Sequence, residues 1–300
     1  MSERVGARWT LQEYVSRVRY SRGLSEFIVE SNSDRSMYSR FLNAHGREVQ
    51  GVPAGRIVVE PEELERRGLT PGVKKQLLSI AASLSEAGAP ESVAAIVDRD
   101  YDGLCGVTSD HVMVTDYHSA EVYAFDGRVL DRLVDGCWKV ESFGGAVLIA
   151  ELRGPLAWLG ECRQRLSAMS VGVIDNWVRF MGTSGLPIEI RKEEIVGRSL
   201  SSGGQSRSAA RIAQLVEEID STAGMTVSER DVMRGHDFTA LLHAVFAGRW
   251  GRSQRIDVRG VSAETFEGML RLALDPTELA EESLFESMLA RWPVPQARTT

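Results

Sequence analysis

Val93-Ala94-Ala95-Ile96-Val97-Asp98-Arg99-Asp100-Tyr101-Asp102-Gly103 is the stretch that decides the fold. Its five apolar residues predict a strand buried on both faces, the pattern of a central strand in a parallel sheet. The strand ends abruptly in three carboxylates at alternate positions. Like charges this close repel, and a divalent cation is the simplest partner that relieves the repulsion. An earlier run, Leu24-Ser25-Glu26-Phe27-Ile28-Val29-Glu30, also ends in an acid. Two strands that feed carboxylates toward one edge predict a metal-dependent phosphoryl-transfer site.

Outward from this strand, apolar spacing predicts a helix over residues 11–18 and a strand over 24–29. Asn32 or Ser33 caps the next helix, which runs through Met37, Tyr38, Phe41 and Leu42. Residues 56–60 read as a short strand. Thr70 and Pro71 suit the start of a helix carrying Val73, Leu77, Ile80, Ala81 and Leu84 on one face, and Gly88 closes it. Residues 111–115 form another short strand, ending at Asp116. The alternation predicts an α/β domain over 20–126, a mostly parallel sheet flanked by helices. Right-handed crossovers place the strand ends bearing Glu30, Asp98 and Asp116 on one side, where open α/β sheets bind ligands.

Residues 127–292 read as a mainly helical accessory region. Helical patterns cover most of 147–181 and recur near 209–220, 237–247, 262–274 and 281–291. Residues 186–190 fit a strand or extended crossing. The Ser- and Gly-rich stretch 199–208 reads as a mobile loop. Asp237, before an apolar run, reads as a helix N-cap, and His236 beside it would reach the acidic cleft only if this helix packs there.

The chain has 300 residues, 43% apolar and 26% charged, which fits a globular protein with a sizeable core. Its three cysteines have no CxxC or zinc-ligand spacing and suggest a reducing compartment. No charged-then-apolar leader opens the sequence, and no apolar run is long enough to span a bilayer, so a cytoplasmic protein without membrane attachment is expected. A net charge of −7 argues against coating nucleic acid by bulk electrostatics. It leaves room for a nuclease, because local acid serves a metal and local base serves a groove. Basic clusters stand at Arg4, Arg8, Arg17, Arg19 and Arg22, and at Arg249, Arg252, Arg255 and Arg259 around Trp250. Solvated helix faces and loops are the favoured reading of such clusters, ahead of a nucleic-acid path.

Three chemistries compete for the acidic run. An EF-hand loop needs a glutamate at its twelfth position, and counting from Asp98 that residue is Ser109. An aspartate-nucleophile phosphatase carries its D-x-D after the first strand, whereas here it follows the third. The third arrangement resembles TOPRIM-type metal sites. A strand ends in a glutamate (Phe27-Ile28-Val29-Glu30), a polar turn and helix follow (Ser31 to Tyr38), and a later strand ends in Asp98-Arg99-Asp100. Ser31 stands where family members more often have glycine.

A narrower resemblance adds Thr115-Asp116-Tyr117-His118-Ser119-Ala120-Glu121 and Gly235-His236-Asp237. Together these segments resemble the TOPRIM-like effector nucleases of bacterial anti-phage defence, including effectors paired with an ABC-type ATPase in PARIS-type systems. The resemblance implies a Mg²⁺-dependent (or Mn²⁺-dependent) toxin that cleaves RNA, possible tRNA included, or DNA. It implies Asp98 and Asp100 as metal ligands and Glu30 as ligand or water-orienting group. Asp102, Asp116 and Glu121 are further metal candidates, and His118 is a candidate for phosphate contact or proton transfer. Two alternatives remain beside it: a non-catalytic regulatory or binding module of the same fold, and the phosphatase. No Walker loop is present, since Ser202-Gly203-Gly204-Gln205-Ser206 lacks the lysine, so nucleotide hydrolysis would fall to a separate ATPase partner. The reading is compatible with an oligomer.

Overall fold

A computed structural model of the chain describes residues 8–294, apart from 22, 101–102, 142 and 224–227. The chain divides into two compact units, Met1–Ala120 with Asp275–Thr300, and Glu121–Leu274. The expected boundary at 126 lies six residues past that division. Residues 275–292, expected in the accessory region, group with the first unit.

In the first unit, β1 (Trp9–Thr10) leads into α1 (Leu11–Tyr20). A capping box starts that helix: Thr10 Oγ1 accepts the Glu13 N–H at 3.2 Å, and Glu13 Oε2 accepts the Thr10 N–H at 2.7 Å. Then come β2 (Glu26–Val29), α2 (Asn32–Ala44), β3 (Gln50–Pro53), β4 (Ile57–Val58), α3 (Pro61–Arg66), α4 (Val73–Glu86), β5 (Val93–Val97) and β6 (Val112–Val114). The main sheet has four strands, all parallel, in the order β3-β2-β5-β6. It is an α/β layer of parallel strands flanked by helices.

Both faces of this sheet are covered, as the all-apolar β5 requires. On one face Ile28, Val52, Val93, Ala95 and Val97 join a buried cluster with Tyr14 and Val18 of α1 and Leu77, Leu78, Ile80, Ala81 and Leu84 of α4. On the other, Phe27 meets Tyr38 of α2 edge-on, with ring centroids 6.2 Å apart. Every residue of β2 and β5 is buried. The buried Glu26 is held by Arg17, at 2.8 and 2.6 Å, and by the Tyr14 hydroxyl at 2.9 Å. That pairing commits one arginine of the N-terminal basic cluster to the fold. Arg4 and Arg22 of that cluster lie outside the described residues.

Several local expectations shift. The strand expected at 56–60 is β4, which pairs with β1 in a separate two-stranded sheet; β3 occupies the place in the main sheet. Ile57 and Val59 still enter the core, which is why the apolar pattern misled. Ser31, not Asn32 or Ser33, caps α2: its hydroxyl accepts the Asp34 N–H at 3.2 Å. Helix α4 begins at Val73 after Gly72, so Thr70 and Pro71 precede it rather than cap it.

The second unit contains α5 (Gly127–Trp138), α6 (Gly145–Ser167), the antiparallel pair β7 (Met181–Gly182) and β8 (Glu189–Ile190), then α7 (Lys192–Ser202), α8 (Ala209–Ala223), α9 (Glu229–Val232), α10 (Gly235–Ala247), α11 (Arg249–Ser253) and α12 (Ala263–Ala273). Helices α5 and α6 approach so closely at their starts that a Cβ on Gly145 would lie 2.2 Å from the Gly127 carbonyl oxygen. The Ser/Gly stretch expected as a loop from 199 is helical through Ser202; Ser199 is buried and its hydroxyl donates to the Ile195 carbonyl. Two short helices, α13 (Pro276–Leu279) and α14 (Ser283–Arg291), end the described chain and return to the first unit. There Phe285 packs on Tyr38 and Phe41, and Trp292 packs on Phe27. No helix among the described residues is long and apolar enough to cross a membrane.

Candidate functional site

The carboxyl ends of β2 and β5 carry the principal acids. Ile28 is level with Ala95, and continuing that register brings Glu30 level with Val97, one residue short of Asp98. Neighbouring strands lie about 4.8 Å apart, so the two acid-bearing ends are adjacent. Glu30 is exposed, and Asp98 and Asp100 are half-buried.

A set of hydrogen bonds shapes the turn after β5. The Arg99 N–H donates to Thr115 Oγ1 at 3.0 Å, and that hydroxyl donates to the Tyr117 carbonyl at 2.6 Å. The Asp100 N–H donates to the His118 carbonyl at 3.3 Å. Asp100 adopts φ +44°, uncommon for a residue with a side chain. Lys74, buried in the first turn of α4, donates to the Arg99 carbonyl at 3.0 Å and lies 3.4 Å from Asp100 Oδ2. Lys74 carries no signal in the sequence, because its reach to the turn depends on how α4 packs against β5.

Asp116 follows β6, and its Oδ2 accepts the Leu284 N–H at 3.1 Å, which satisfies a backbone donor at the start of α14. Its neighbour Tyr117 donates to Glu282 at 2.9 Å. His118 is buried in the first unit. Asp102 lies outside the described residues. Glu121 belongs to the second unit and is buried against Arg271. Asp237 is not an N-cap: Arg234 holds that position, and the Asp237 carboxylate makes a bidentate pair with Arg163 at 2.6 and 2.7 Å.

In the second unit, ligand atoms of Glu121, His236 and Glu267 all lie within 4.8 Å of one another. Glu121 sits in a 3-10 turn (Ala120–Ala124), His236 in the first turn of α10, and Glu267 on α12. Arg271, one turn after Glu267, bonds Oε1 of Glu121 and lies 2.8 Å from Oε1 of Glu267. His236 Nδ1 is 3.7 Å from Glu267 Oε2. The Glu267 carboxylate as acceptor for the ring N–H, with the field of Glu121 assisting against partial burial, raises the His236 pKa to about 9. Glu267 escaped sequence reading because an acid four residues before an arginine on a helix resembles an ordinary surface pair.

No family model matches the chain. A search of curated proteins also finds no match.

Proposed function

We infer that the acid-bearing end of the parallel sheet binds a divalent cation and that the chain is a TOPRIM-like nuclease, hydrolysing phosphodiester bonds of RNA or DNA as an anti-phage effector. The observation that carries the reading is the parallel pairing of β2 with β5, which sets Glu30 beside the start of Asp98-Arg99-Asp100. The donor set is all carboxylate oxygen, which suits Mg²⁺ or Mn²⁺. Asp98, Asp100 and Glu30 would hold the ion, which when bound supplies charge neutralisation at the phosphate and activation of water.

The chain's own residues then have distinct tasks. Thr115 and Lys74 fix the backbone of the turn, so that Asp98 and Asp100 are presented without a large rearrangement. Glu30, exposed at the neighbouring strand end, would orient the attacking water or accept its proton at a carboxylate oxygen. The defence role and the separate ABC-type ATPase partner rest on the resemblance of the segments around Glu30, Asp98, Asp116 and His236.

The test is cleavage of labelled RNA and DNA by the full chain with Mn²⁺ or Mg²⁺, alone and with an ATPase partner. Chelation should stop it, and Asp98→Asn or Asp100→Asn should lower the rate by roughly 10²–10⁴-fold. Cutting by Asp98→Asn at the unmodified rate would overturn the reading. One contact favours a second reading, a non-catalytic binding module: Lys74 already supplies a positive charge to Asp100. That alternative expects partner association without divalent-ion binding or cleavage at the strand ends.

A further inference from the structure

We propose that Glu121, His236 and Glu267 form a second cation site, separate in composition from the all-carboxylate strand edge and suited to a first-row transition ion such as Zn²⁺. Three elements converge to make it: the 3-10 turn, the start of α10 and the middle of α12. One imidazole nitrogen and two carboxylates are a mixed donor set, which Zn²⁺ and its neighbours accept and Mg²⁺ rarely takes. Ligands about 2.1 Å from a metal lie roughly 3.4 Å apart in a tetrahedron. The 4.8 Å limit on the present group therefore needs only modest closure by side-chain rotation.

Arg271 makes the geometry more than a chance meeting of acids. Its guanidinium engages Oε1 of both glutamates, and Glu267 turns Oε2 toward His236. Arg271 thus braces both carboxylates from one side, the arrangement by which outer hydrogen bonds orient metal ligands. Arg271 and Glu121 are buried, whereas the His236 side chain is 65% exposed. The ion would enter from the histidine side, where solvent can complete its coordination.

Co²⁺ titration of the chelator-stripped full chain, followed by visible absorption, tests the site. The expected result is one equivalent showing the d–d bands of a nitrogen-ligated ion, displaced by Zn²⁺ and resistant to millimolar Mg²⁺. His236→Ala and Glu267→Gln should each weaken binding by about tenfold or more. His236 is exposed, so its variant should keep the unmodified melting curve. An Asp98→Asn, Asp100→Asn double variant should retain the bands, which separates this site from the strand edge. Absence of bands at saturating Co²⁺, or His236→Ala binding as tightly as the unmodified chain, would overturn the proposal.

Discussion

The Asp237 carboxylate is almost wholly buried, gripped by Arg163 through two nitrogens at 2.6 and 2.7 Å. Removing one partner of a buried pair leaves the other charge uncompensated, at a cost of about 3–5 kcal/mol. Asp237→Ala should therefore lower unfolding free energy by about 3 kcal/mol in a urea titration, because Arg163 keeps some access to water. A change under about 1 kcal/mol would return the residue to a surface role. The positions of Glu30, Asp98 and Asp100 just past their strands were legible because the apolar runs end where β2 and β5 end. Lys74 and Glu267 were not, since their partners come from elements distant in sequence.

At the scale of elements, strong apolar runs read correctly and weak ones did not. β5 announces itself with five apolar residues, all buried. β3 is Gln50-Gly51-Val52-Pro53, short and interrupted by the two residues least favoured in strands. Its glycine is required by packing: a Cβ at Gly51 would lie 2.5 Å from Arg35 Cγ and 2.6 Å from Phe27 Cζ. Phe27 is fully buried and Arg35 comes from α2, so the added methyl must displace the helix or the ring. Gly51→Ala should cost about 1–3 kcal/mol, readable as a lowered thermal midpoint. A variant as stable as the unmodified chain would show that β3 and α2 separate more easily than their packing indicates.

At the scale of the molecule, the chain leaves the sheet unit at Ala120 and returns to it at Asp275. Helix α14 and Trp292 contribute Leu284, Phe285, Met288 and Trp292, all buried. Trp292 Nε1 donates to the Ser92 carbonyl at 2.9 Å, and Arg47 Nε donates to the Trp292 carbonyl at 3.0 Å. Burying each large apolar side chain contributes roughly 1.5–3 kcal/mol, so the segment supplies a large part of a marginal stability. Truncation after Leu274 should abolish slow amide exchange in β2 and β5 while amides of α6 and α10 remain protected. Retained protection in both strands would sink the idea that the segment completes the sheet unit. The helical character of the second unit was legible from amphipathic spacing, but the return of residues 275–292 was not, because local periodicity says nothing about which distant surface a helix covers.

The return of α14 to the sheet also sets an order of events during translation. A ribosome releases Phe27, Tyr38 and Phe41 well over 200 residues before their aromatic partners, Trp292 for Phe27 and Phe285 for the other two, so the nascent polypeptide presents an uncovered greasy flank for most of its synthesis. The Asp116 carboxylate likewise waits for the Leu284 amide. The layer that bears Glu30, Asp98 and Asp100 is therefore completed only once the last helix has been synthesised.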